Sequence, residues 1–495
     1  MSQDKSQTRG GVPIDRRSLL KGGAILLGGA FAGSKVLGLG SGAADAAVGP
    51  HKAVRTLVTP GANEQLLHFA ATDGWVTMPQ APEISPFWPD PLAPGGYNVY
   101  AFGFRDVTGL DPADANVTTG LADISPAVTL QRGLTQIAAP ILCFDEYDEA
   151  QNNAVRITLS NLGLQLRPDL VDGHTIHWHG FVNAIPLFDG VPELSISVPI
   201  GRSFTYYYRP RDAGTYMYHC HFEDVEHVQM GMTGVVFVRP KQNGSNPNGT
   251  VPSGRRLQYA YNDGDGSTQY DREFSFMVTE LWVEGHYRDA HIQTTDWTEF
   301  KPSFWLLNGR AWPDTLAPNT RPEVFHDGGT DRMPLDAAWD GLSGAGHPLS
   351  SFPGGSLRYN PISSLVTANA GDRVLLRLSN LGYQHHAFTL DGIPMTVVAK
   401  DARRLANGST SLYYQTNTVE VGPGESRDVI FTAPAKTGSG PYDAYRFYDR
   451  NYAYLNNGGG TGYGGQMTEV RVFPGGTLPA QKDPKVEAND AVLWD

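Results

Sequence analysis

A chain of 495 residues exceeds what one hydrophobic core organises, so two or three domains are expected. It is 40% hydrophobic and 11% aromatic, and its 57 glycines and 35 prolines suit many short strands and turns more than long helices. The formal net charge of −13, with no basic stripe interrupting it, argues against a nucleic-acid partner.

In chain order, residues 1–46 read as an export signal. Asp15-Arg16-Arg17-Ser18-Leu19-Leu20-Lys21 precedes a Gly/Ala-rich run from Gly22 to Leu39, and Ala44-Asp45-Ala46 offers a cleavage site. The pattern looks like a twin-arginine signal, of the kind that exports folded proteins, and predicts a periplasmic or extracellular protein. The run is too Gly-rich for a membrane anchor, and no later segment has the eighteen or more apolar residues needed to span a bilayer. Two cysteines, Cys143 and Cys220, allow at most one disulfide. Cys143, in Pro140-Ile141-Leu142-Cys143-Phe144, reads as a buried apolar residue, with a Cys143–Cys220 bridge as the rival.

Asn153–Gly163 and Gly371–Gly382 resemble each other, alternate like half-buried strands, and each precede a His-containing segment. Tandem duplication of one β-domain follows. The polar run Pro240–Arg256 marks the boundary, and 312–352 reads as a long excursion within the second domain. The expected fold is all-β: two Greek-key β-sandwiches over 47–245 and 246–478, with a tail at 479–495.

Two stretches of the first domain hold most of the chemistry: His174-Thr175-Ile176-His177-Trp178-His179-Gly180, and Tyr218-His219-Cys220-His221 running on to His227, Met230 and Met232. Strand side chains alternate faces, so His177 and His179 share a side, as do His219 and His221, while Cys220 projects oppositely. Neighbouring strands would gather four imidazoles on one side. On the other, Cys220 can meet His174 and, after a loop, His227 and Met232: a thiolate, two imidazoles and a thioether, the ligand set of a blue copper site. Met230 competes for the axial position. Zinc would accept four histidines but does not explain the Cys-His-Met set.

His177-Trp178-His179-Gly180, Asp189-Gly190-Val191-Pro192, Pro199-Ile200-Gly201, Gly214-Thr215-Tyr216 and Tyr218-His219-Cys220-His221 resemble the first domain of multicopper oxidases. The resemblance implies cupredoxin-like domains, His177 on a type 2 copper, His179, His219 and His221 on a type 3 pair, and Asp189 as a proton relay. It places the type 1 ligands in the first domain, as in some two-domain members. The Cys-to-His interval is two residues longer than the family's, within the acidic Glu223-Asp224-Val225-Glu226. The second half resembles the family's copper-free middle domain at Phe304–Arg310, Gly371-Asp372-Arg373, Phe388–Gly392 and Val397–Asp401. There His386 aligns with His174, Thr389 and Asp391 with His177 and His179, and Tyr445–Asp449 stands where His219-Cys220-His221 would recur. His385 and His386 read as structural. Four of the family's eight cluster histidines are therefore present; two-domain relatives are commonly homotrimers, but a trimer of this chain supplies no new ligand types.

The reading is a copper-dependent oxidoreductase that takes electrons from a small reductant or redox protein and passes them to oxygen. A copper nitrite reductase and a non-enzymatic cupredoxin electron carrier are the alternatives.

Overall fold

The computed structural model describes residues 57–58, 63–94, 97–110, 117–118, 121–182, 184–251, 257–317, 319 and 357–481. The expected signal, most of the excursion at 312–352 and most of the C-terminal tail lie outside the described residues. All of the described part belongs to one unit, Arg55–Asp495.

The periodicity of Val155–Asn161 decides the first core. Val155, Ile157 and Leu159 point inward and are wholly buried, while Arg156 and Thr158 are half-exposed. Eight strands build this half: β1 (Gln65–Thr77), β2 (Asn98–Asp106), β3 (Leu142–Asp145), β4 (Val155–Asn161), β5 (His177–His179), β6 (Arg202–Tyr208), β7 (Gly214–His219) and β8 (Thr233–Arg239). One sheet runs β2-β1-β4-β6 with the short Ala122–Asp123 strand at its edge; the other runs β3-β8-β7-β5. Their inner faces share a core containing Phe69, Phe102, Trp178, Tyr206, Tyr218 and Cys220. A helix, α1 (Asp224–Met230), joins β7 to β8.

The second half repeats this wiring. Its strands are β9 (Arg272–Leu281), β10 (Phe304–Leu307), β11 (Val366–Asn369), β12 (Arg373–Asn380), β13 (His386–Leu390), β14 (Met395–Lys400), β15 (Thr418–Val421), β16 (Ser426–Thr432), β17 (Asp443–Asp449) and β18 (Met467–Phe473), with α2 (Val283–Ala290) after β9. β4 pairs parallel with β1 and antiparallel with β6; β12 pairs parallel with β9 and antiparallel with β16. The β3-β8-β7-β5 order has its counterpart in β11-β18-β17-β13. The repeat read from Asn153–Gly163 and Gly371–Gly382 is thus a repeat of topology.

The halves meet across a mixed interface. Cys143, Met217, Val235 and Phe237 pack with Met277, Ile362 and Leu381. Beside them Glu273 pairs with Arg239 and, at 3.1 Å, with Arg377, while Asp428 accepts from Thr215 (2.6 Å) and Tyr261 (2.5 Å). Buried charges so matched hold the halves in one register, because parting them would strand each one. The longest helix among the described residues has eight residues, and none is long and apolar enough to cross a membrane.

Candidate metal centre

The register of β5 against β7 sets the centre. His177 lies opposite His219, Trp178 opposite Tyr218, and His179 opposite Met217. Trp178 and Tyr218 point into the core and are fully buried; the histidines on either side therefore turn the other way. The ring centroid of His177 lies 5.9 Å from His179, 5.2 Å from His219 and 5.1 Å from His221. The four rings lie near one another, and the ligand atoms that converge most closely are those of His177, His179 and His219.

Outer contacts fix which nitrogens face inward. His177 Nδ1 is 2.7 Å from the Asp189 carbonyl and His219 Nδ1 is 2.8 Å from that of Cys220, so each presents Nε2. The first contact depends on Gly190 at φ 79°, where a Cβ would sit 2.1 Å from the Ile176 carbonyl. His179 Nδ1 approaches His219 Nε2 at 3.3 Å, and one ligand atom from each of His177, His179 and His219 falls within 4.8 Å of the others. Burial lowers the pKa values of His177 and His179 and brings His219 down to about 3. These rings are neutral, with lone pairs free for a metal.

Cys220, one residue past the end of β7, faces the opposite pocket. Its Sγ lies 3.3 Å from His227 Nδ1 and 3.8 Å from His174 Nδ1, and it accepts the Thr175 N–H at 3.5 Å. All three side chains are buried. Burial drives His174 well below the usual imidazole value, helped by His227. Burial also presses His227 down, but Cys220 and Asp172 outweigh it and raise that pKa to about 10. Met232 is fully buried; its carbonyl accepts the Cys220 N–H (3.2 Å) and its N–H donates to the His227 carbonyl (2.9 Å). Met230 is equally buried in the same core. Both cysteines are free, so the rival Cys143–Cys220 bridge is not formed.

The donor set fits copper. Two imidazoles and a thiol converge through Nδ1, Nδ1 and Sγ, all buried, with the backbone of a thioether-bearing residue hydrogen-bonded to Cys220 and His227, and a separate trio of imidazoles lies on the other side of the strand pair.

Sequence reasoning expected a loop between Cys220 and His227. Part of it is α1, with Asp224 and Glu226 in its first turn and Gly231 ending it at φ 121°. A Cβ on Gly231 would come within 2.7 Å of Ile137 and of the Phe102 carbonyl, so only glycine lets the chain turn back toward Met232. Asp172 was missed: its Oδ2 lies 3.7 Å from His227 Nε2, and nothing in the local spacing marks it. Also missed was Gly424 of the second half, whose backbone abuts His179. Asp189 sits with Oδ1 3.6 Å from His177 Nδ1. His386 is far from solvent, between Glu280 (2.5 Å) and Asp449 (2.9 Å), whereas His385 is exposed.

Fold and site together define a tandem cupredoxin-like β-sandwich protein with a Cys-His-His pocket backed by a histidine cluster. Family models described as multicopper oxidase match residues 151–243 and 276–460, more than half of the chain in all. The chain belongs to the multicopper oxidase family. It is 33% identical over 181 residues to Laccase-1 of Emericella nidulans, covering 34% of this chain and 26% of that protein. To multicopper oxidase MCE of Talaromyces pinophilus it is 36% identical over 111 residues, 22% of this chain and 16% of that one. The matches thus span about a quarter or less of those relatives. Among solved structures, the blue copper oxidase of Nitrosomonas europaea shares the fold, with a TM-score of 0.51 and 18% identity over 83% of this chain and 86% of that one.

Proposed function

We propose that the chain is a copper-dependent oxidoreductase in which a reductant delivers electrons at a type 1 site of His174, Cys220, His227 and Met232, for transfer to oxygen at His177, His179, His219 and His221. One observation carries this reading: Cys220 Sγ meets two imidazole Nδ1 atoms while its chain neighbours His219 and His221 turn into the other cluster. Copper at the two sites would supply the one-electron chemistry.

The residues do the rest. The Thr175 N–H, donating to Sγ, stabilises thiolate charge. The carbonyls of Asp189 and Cys220 orient His177 and His219 and fix their tautomers. Asp189, one-third exposed with Oδ1 3.6 Å from His177 Nδ1, is the candidate proton relay beside the cluster. His227 is fully buried, so electrons reach it through its surroundings. Asp172 and the acidic first turn of α1 lie on that side and favour a cationic or neutral reductant over an anionic one.

The proposal includes the domain division at 47–245 and 246–478, export by the twin-arginine route to the periplasm or beyond, and assembly as a homotrimer. Copper content with visible and EPR spectra, followed by oxygen uptake with phenolic and cuprous substrates, tests the activity. Oxygen uptake with two or more coppers per chain is expected. One copper per chain without uptake would point to an electron carrier instead, and nitrite turnover with two coppers to a reductase.

A further inference from the structure

α1 carries His227 between Cys220 and Met232, and at seven residues it is too short to hold its shape unaided. Its placement comes from packing. On one side the Phe102 ring meets the His227 ring at 5.9 Å. On the other side the helix rests on the second sandwich. Gln229 Nε2 donates to the Glu280 carbonyl at 3.0 Å and lies 3.4 Å from His286 Nε2. The Tyr383 hydroxyl donates to the Val225 carbonyl. Gln229 is buried, so these polar contacts with the second sandwich add to the packing of the helix against the first.

The block beneath is itself pinned. The Glu280 carboxylate accepts the Tyr383 N–H (2.7 Å) and meets His386 Nε2 (2.5 Å), and His386 Nδ1 meets Asp449 (2.9 Å). These residues occupy a telling place in the repeat. Thr389 pairs with Tyr448 as His177 pairs with His219, which puts His386 at the position of His174 and Asp449 at that of Cys220.

We infer that Gln229 and Tyr383 are positioning residues of the type 1 copper site, through which the metal-free counterpart of that site in the second sandwich holds the helix bearing His227. The inference rests on the reading of His174, Cys220 and His227 as copper ligands. Its physical basis is that copper at a Cys-His-His site responds in affinity and potential to the groups that orient its ligands; loss of a partner bonded directly to a ligating imidazole costs about 10–100-fold in metal affinity, an upper bound for groups that act one contact further out. Gln229→Met keeps length and apolar bulk but removes the donor; Tyr383→Phe removes only a hydroxyl.

Both are made in the full chain and loaded with copper, and three quantities are read: affinity by competition with a chelator, EPR hyperfine splitting, and reduction potential. The expected result for Gln229→Met is a retained thiolate-to-copper band with shifted hyperfine splitting and potential and an affinity lower by up to about tenfold. Tyr383→Phe moves the same quantities less, and carries the test by itself if Gln229→Met does not fold. Wild-type splitting, potential and affinity in the variants overturn the inference, as does a fall in melting temperature with those three unchanged. A wild-type protein that shows no thiolate-to-copper band would instead overturn the copper reading itself.

Discussion

At one place in the first sandwich a thiol lies 3.3 and 3.8 Å from two imidazoles; at the corresponding place in the second, a carboxylate lies 2.9 Å from one imidazole whose far nitrogen meets another carboxylate. The strands that bring these groups together are wired alike. The first set offers sulfur and two imidazole nitrogens that could converge on a cation. The second set is closed, because one protonated imidazole bridging Glu280 and Asp449 satisfies both acids without a metal. The protonation tendencies differ in how many rings are held neutral. In the first set burial lowers His174, while at His227 burial is outweighed by Cys220 and Asp172, which raise it to about 10; in the second, burial of His386 is overcome by its hydrogen bonds to Asp449 and Glu280 and the pKa is raised. The repeated topology therefore carries over the geometry, and a few side chains decide whether it presents a candidate metal-ligand set or a closed ion pair.

The sharpest way to break the comparison is to copy the second sandwich into the first. Cys220→Asp, or the milder Cys220→Ser, is expected to abolish the thiolate-to-copper band of the copper-loaded protein entirely, measured by visible and EPR spectroscopy. A surviving intense band would mean that another group ligates the metal. The reverse operation strikes stability. His386→Leu leaves Glu280 and Asp449 buried without the imidazole they share, each keeping only backbone N–H donors, and we expect a loss of about 3–5 kcal/mol by urea denaturation. A loss under about 1 kcal/mol would show that the two acids pair elsewhere or are protonated at little cost.

Much of this contrast was legible in the sequence. His-x-His pairs read at strand period gave the quartet, and Cys220 between two of them gave the opposite-facing sulfur, because side-chain alternation is a local property of a strand. Pairing His386 with His174 and placing Asp449 near the Cys220 position needed only the repeat. What could not be read were the long-range partners. Glu280 lies 106 positions from His386, Gln229 51 from Glu280, and Gly424 reaches His179 from the other half of the chain. No spacing rule links residues brought together by the docking of two sandwiches. The helical form of the Cys220–Met232 segment was missed for a different reason: its seven helical residues are too few for a period to show.

The protonation contrast sharpens into a pH experiment. A folded pKa above the unfolded value contributes stability that is fully present below the ordinary imidazole range and is lost as pH rises through the raised value. His386 is such a group. The metal-free protein is thus expected to lose melting temperature on the alkaline side, and His386→Leu is expected to flatten that part of its profile while lowering the whole curve. An unchanged alkaline slope in the variant would assign the loss to another group.

The smallest effect expected belongs to the other cysteine, and its smallness is what makes it informative. Cys143 lies on β3, opposite Phe237, in the apolar seam between the sandwiches with Met217, Val235 and Met277. Burial pushes its thiol up to about 12 against the pull of Arg239, so at neutral pH it stays protonated and apolar, a poor ligand and a poor nucleophile. Cys143→Ala should cost about 1 kcal/mol by denaturation, from lost contacts alone, and leave the copper spectrum and potential of the loaded protein unchanged. The two thiols of this chain differ in neighbours rather than in burial: one lies among aliphatic side chains and thioethers, the other beside two imidazoles. If Cys143→Ala altered the thiolate-to-copper band, burial among apolar groups would have failed as a criterion for an inert thiol, and the contrast between the two cysteines would fall with it.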